Sequence, residues 1–132
     1  MGFRLGFELL KNRALGFLRD ARFDFENRNY DLVLFHTEQF AQLYSKYLLY
    51  RRIGDYPKTH SLLRLLSDLA RIYGDCGLRD FIDRYLESLY LLEEAYISTR
   101  YLPREYDEHI AKRILLLADS LLEVFKCLES QS

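Results

Sequence analysis

The stretch DLVLFHTEQFAQLYSKYLLYRRIGDYPKTHSLLRLLSDL, Asp31 to Leu69, decides the fold. Leu32, Phe35, Phe40, Leu43, Tyr47 and Tyr50 recur at helical spacing, and Ala41 and Leu48 widen their face. This predicts a helix from about Tyr30 to Arg52, with Asn29 as its N-cap and Asp31 in its first turn. A helix apolar on more than one side has more than one neighbour, and in a small bundle the extra neighbour is often a second subunit. Gly54-Asp55-Tyr56-Pro57 is a stop and turn signal. Thr59 is then placed to cap a third helix carrying Leu62, Leu63, Leu65, Leu66, Leu69 and Ile72.

Working outward, Phe3, Phe7, Leu10, Ala14, Phe17, Ala21 and Phe25 form one stripe on a long first helix. Arg4, Lys11, Arg13, Arg19 and Arg22 lie mostly off it. Gly74-Asp75-Cys76-Gly77 ends the third helix. A fourth is predicted over Leu78–Ser98, with Phe81, Ile82, Tyr85, Leu89, Leu92 and Tyr96 facing inward. A fifth begins with Pro103, has Glu105, Asp107 and Glu108 near its positive end, and carries Ile110, Ile114, Leu117, Leu121, Phe125 and Leu128. Short connections between long helices imply an all-α, up-and-down bundle of four to five antiparallel helices.

Composition agrees. The 132 residues suit one domain covering the whole chain, 49% hydrophobic and 30% charged, with only two prolines and six glycines. A net charge of −1 argues against nucleic-acid binding driven by global charge, although a local patch rich in arginine, which outnumbers lysine 14 to 5, still suits phosphate. Cys76 and Cys127 stand far apart with no Cys/His cluster, so no metal or other cofactor is expected. Two cysteines do not make a disulfide framework, which makes a reducing cytoplasm the expected compartment. No segment reads as a signal peptide or a membrane span.

The block from Asp31 to Leu69 also resembles the core signature of HEPN domains, a family named for nucleotide binding in higher eukaryotes and prokaryotes. The matching positions are His36, Gln39, Ala41 and Lys46, then Pro57, Thr59, His60, Leu62 and Leu65. Thr99-Arg100-Tyr101-Leu102-Pro103 resembles the family's Ala-Arg-Tyr-Pro segment, with Leu102 inserted. The resemblance covers roughly residues 5–128 and points to the small stand-alone prokaryotic or archaeal type. It implies a helical bundle, usually a homodimer, often encoded beside a minimal nucleotidyltransferase in a two-component or toxin–antitoxin pair. Some branches are metal-independent ribonucleases using Arg, four to six residues, then His; others bind nucleotides without cleaving RNA.

Arg104 and His109 have that spacing. Histidine moves protons near neutral pH and arginine stabilises charge on a transferring phosphate, so this is the catalytic candidate pair. Three intervening carboxylates, Glu105, Asp107 and Glu108, would oppose RNA phosphate unless they face away. In the ribonuclease toxins paired with nucleotidyltransferases, a modified Tyr follows two residues after the His; Ala111 stands here, which speaks against that branch. Lys46, Arg100, Tyr101 and His60 are the candidates for nucleotide or phosphate binding: cations for the anion, and rings to stack on a base. His36 reads as a partly buried, hydrogen-bonded histidine. Tyr44, Tyr47, Tyr50 and Tyr56 suit an interface or the rim of the core. Glu93 and Glu94 read as helix surface. The expectation is therefore a nucleotide-binding module with a nucleotidyltransferase partner, the rivals being a ribonuclease and a purely structural dimeric subunit.

Overall fold

The computed structural model describes the backbone of residues 2–101 and 106–131, and the side chains of residues 6–97 and 106–131. Among the described residues there are six helices and no strand: α1 (Gly2–Glu26), α2 (Tyr30–Ile53), α3 (Leu62–Ile72), α4 (Leu78–Arg84), α5 (Leu86–Tyr101) and α6 (Glu108–Ser130). None is long and apolar enough to cross a membrane.

The two-sided apolarity of α2 has a direct consequence: it packs against α1, α3, α5 and α6 and forms the centre of the bundle. The extra neighbours are thus helices of the same chain. The α1–α2 hairpin is close because Ala14 and Ala21, both fully buried, put no bulk between the helices. Arg28 makes the turn at φ 61°, and Asn29 N–H closes it onto the Asp24 carbonyl at 2.9 Å. On the opposite side Phe40 and Tyr44 of α2 meet Phe125 of α6, with Tyr44 stacked on Phe125 at 4.6 Å between centroids. Gly54 ends α2 at φ 73°, its N–H returning to the Tyr50 carbonyl, a left-handed cap that glycine adopts without strain.

Four local expectations are corrected. Asn29 occupies the N-cap position of α2 but makes no side-chain capping bond. The cap of α3 is Ser61, whose Oγ accepts from Arg64 N–H at 3.2 Å; Thr59 instead accepts from Ser61 N–H at 3.1 Å and braces the approach. The predicted fourth helix is two, α4 and α5, divided at Tyr85 (φ −110°, ψ 19°). No glycine or proline marks that break. It belongs to packing, because α4 leans on α3 and α6 whereas α5 lies against α2 and α3. The last helix starts at Glu108, where Asp107 Oδ1 accepts from Ile110 N–H at 2.8 Å, and not at Pro103. A side-chain acceptor satisfies a helix-end donor, which a first-turn proline cannot do.

The two cysteines are also not independent. Cys76, in the α3–α4 turn, and Cys127, in the last turns of α6, form a disulfide across 51 residues, with Cα atoms 6.0 Å apart. Helix packing, invisible in their spacing, brings them together. Beside them Gln131 clasps the same turn, accepting from Gly74 N–H at 2.8 Å and donating to the Gly74 carbonyl at 3.3 Å.

Candidate functional site

One face of α2 carries polar groups into the bundle. Thr37, Glu38, Gln42 and Ser45 are all buried, and each retains a side-chain oxygen without a protein partner. Buried polar groups are normally paired, so four such oxygens on one helix mark a place where polarity is kept against its desolvation cost. Glu38 is the most demanding of them. Gln39 Nε2 donates to its Oε1 at 2.7 Å, and Oε2 is the unpaired atom. Burial pushes its carboxyl from an ordinary 4.5 up to about 7, and the nearby Glu93 adds to that; hydrogen bonds from Gln39 and Gln42 and the charge of Lys46 pull the other way.

The cluster reaches the surface through the segment between α2 and α3. Gln42 Nε2 donates to the His60 carbonyl at 2.7 Å, which ties the loop to α2 one turn before Lys46. The Lys46 ammonium lies 5.6 Å from the centroid of the Tyr56 ring, in cation–π range. Burial lowers the Lys46 pKa, while Glu38 works to hold it up. From α5, Glu93 Oε1 accepts from Leu63 N–H at 3.3 Å, pinning the start of α3. Tyr96, one turn along α5, stacks on the His60 ring at 5.0 Å and on Phe35 at 6.2 Å. Three rings from α2, the loop and α5 therefore lie in nearly parallel planes, and the series ends on the exposed imidazole of His60.

Of the predicted set, Lys46 lies one turn beyond Gln42 on α2, and His60 is tied to the same Gln42 through its carbonyl. His60 sits in the loop just before the Ser61 cap, stacked on Tyr96 and not capping the helix. Arg100 and Tyr101 fall within the backbone of α5, but their side chains lie outside the described residues, as does Arg104 altogether. His109 is exposed on the first turn of α6. Ala111, two residues on, is completely buried, so a modifiable side chain at that place would face the core. His36 is partly buried as expected, but it turns away from Gln39 toward α1. Its Nδ1 meets the Asp24 carboxylate at 2.5 Å, and its ring stacks on Phe17.

Sequence reasoning passed over Glu38, Gln42 and Asp24, and read Glu93 as surface when it is half-buried and bonded to α3. A signal was present for the first two: polar residues four apart, on the same α2 face as the buried Leu34 and Leu49, whereas a solvated face would carry no such leucines. Of the two readings open for the tyrosines, interface or core rim, the structure favours the core for two of them. Tyr44 and Tyr47 are core residues whose hydroxyls donate to Glu129 at 2.5 and 3.3 Å. Burial first, then Glu129, raises both phenol pKa values, that of Tyr47 to about 12. Among the described residues no cluster of His, Cys, Asp and Glu forms a metal-ligating group.

An all-helical bundle built around one long helix with a buried polar face, opening on a stacked histidine and a lysine, defines a helical module suited to nucleotide or RNA chemistry. The chain belongs to the HEPN domain family, which it matches over residues 7–128. No curated protein and no solved structure matches it.

Proposed function

We propose that this HEPN domain binds a nucleotide at the face carrying Lys46 and His60 and works as a homodimer with a separately encoded minimal nucleotidyltransferase. The observation that carries the binding is the ring series Phe35–Tyr96–His60. It presents an exposed, pre-oriented ring, and Gln42, one turn before the half-buried Lys46, holds the loop that carries it. A base stacked on His60 would gain the usual aromatic contact without ordering a free side chain, since Tyr96 already holds the imidazole. Lys46 would meet the phosphate, and Arg100, four residues beyond Tyr96 in the sequence, would add a second cation. Glu38 sets the charge of the site. Below pH 7 it is mainly neutral and Lys46 stands uncompensated; above, its carboxylate offsets the lysine.

Family membership and the resemblance of the Asp31–Leu69 block are what support the partner and the dimer in this reading, and toxin–antitoxin pairing rests on the same support. Equilibrium dialysis against AMP, ATP, GMP and GTP tests the binding. The reading expects saturable uptake of at least one nucleotide, weakened at least tenfold by Lys46→Ala and by His60→Ala. Co-purification with a minimal nucleotidyltransferase tests the pairing. Metal-independent RNA cleavage lost in His109→Ala would replace this reading with the ribonuclease one, with Arg104 as the second residue. A tight dimer with no nucleotide uptake would leave a structural subunit.

A further inference from the structure

The disulfide borders a cleft between α4 and α6. Cys76, Gly77, Asp80, Phe81, Arg84 and Tyr85 line one wall, and Ser120 and Val124 of α6 line the other. Its volume is about 200 Å³. That is room for about seven waters, or for one small amino acid, at about 30 Å³ per water. Asp80 and Arg84, four residues apart on α4, share the cleft, and among the described residues neither makes an ion pair. A carboxylate and a guanidinium, both uncommitted, complement the ammonium and carboxylate of a free α-amino acid. The one chemically reactive group on the wall is the Cys76 sulfur. Gln131 Nε2 lies 3.2 Å from it, placed to donate to the Cys76 thiolate when that sulfur leaves in a second exchange.

We propose that this cleft is a thiol-exchange site, taking an amino-acid thiol of the cysteine type. The bound thiolate attacks Cys76 Sγ, forming a new S–S bond as the Cys76–Cys127 bond breaks. Cys127, on an exposed position of α6, leaves as a thiolate and takes a proton from solvent. A second thiol then attacks the ligand sulfur of the mixed disulfide, releasing the ligand disulfide and the Cys76 thiolate. Two ligand thiols are oxidised and one protein disulfide is reduced, so the electrons balance. Cys76 is the sulfur that carries the adduct, because it lines the cleft and Cys127 does not. Freed from Cys127, the α3–α4 turn keeps the Gln131 clasp to the end of α6.

The experiment incubates the oxidised protein with free cysteine, glutathione or 2-mercaptoethanol at equal thiolate concentration. Aliquots are alkylated and mapped by peptide mass spectrometry. The proposal expects the adduct on Cys76, with free cysteine at least tenfold faster than 2-mercaptoethanol, and that preference lost in Arg84→Ala. Glutathione reacting faster than free cysteine would move the assignment to a peptide thiol and overturn the size argument. Adducts mainly on Cys127, equal rates for all three thiols, or a disulfide untouched by a large excess of each would overturn the proposal. Circular dichroism of Arg84→Ala checks that its helices persist, and the wild-type rate ratios stand whether or not that variant folds.

Discussion

Replacing Glu38 by glutamine should change the pH dependence of stability more than stability itself. The carboxyl is fully buried, and burial raises its pKa from 4.5 to about 7 in the folded chain. The folded state therefore binds the proton more tightly than the unfolded state does. Below 4.5 both states are protonated and burial costs nothing electrostatic. As pH rises from 4.5 to 7 the unfolded chain releases its proton while the folded chain holds it, so stability falls; above 7 the loss is complete. At about 1.4 kcal/mol for each pKa unit, a displacement from 4.5 to about 7 amounts to about 3 kcal/mol. The amide introduced by Glu38→Gln has no proton to lose. Urea unfolding of both proteins at half-unit steps from pH 4 to 8.5 should show the stability of Glu38→Gln relative to wild type rising by about 3 kcal/mol, most of it between pH 4.5 and 7. Subtracting the two curves removes any constant cost of fitting the amide. Parallel curves across that window would refute the reasoning.

Three further outcomes follow from the packing and the charges. Phe125→Ala, which deletes a fully buried ring stacked on Tyr44, should cost about 3–5 kcal/mol by denaturant unfolding. His36→Ala leaves the buried Asp24 carboxyl without its hydrogen-bond partner and should cost about 1–3 kcal/mol, with the Asp24→Asn, His36→Ala double variant recovering part of it. Burial works to raise the Glu129 pKa, but the bonds from Lys11, Tyr44 and Tyr47 outweigh it and leave the pKa lowered. Glu129 thus stabilises the fold above the ordinary carboxylate range, and that contribution is lost as pH falls through its folded pKa. Glu129→Gln should flatten the acid limb of a thermal-melt profile accordingly.

Much of the bundle was legible because burial and helical period coincide in it. Ala14, Phe40, Leu65, Leu69, Ile114, Leu121 and Phe125 were placed inward by spacing alone, and each is buried. What spacing could not show were pairings between distant segments. Cys76 and Cys127 meet only because the end of α6 lies against the α3–α4 turn. Glu93 reads as surface until Leu63 N–H approaches it, and the break at Tyr85 follows from two helices choosing different neighbours. The site was legible in part. Lys46 and His60 came from the family pattern. Glu38 escaped because a buried carboxylate violates the period-based expectation that charges on a helix face water, and Tyr96 was read as core although it is what holds His60 in place.

The most direct test of the account is the imidazole of His60 itself. Labelled protein titrated with AMP and GMP, followed by proton–carbon correlation of the histidine rings, reports stacking at each of the three histidines separately. The account predicts an upfield ring-current shift at His60, saturating with nucleotide and absent in Lys46→Ala at the same concentration, with His36 and His109 unmoved. A nucleotide that binds while shifting His109 and leaving His60 still would contradict it.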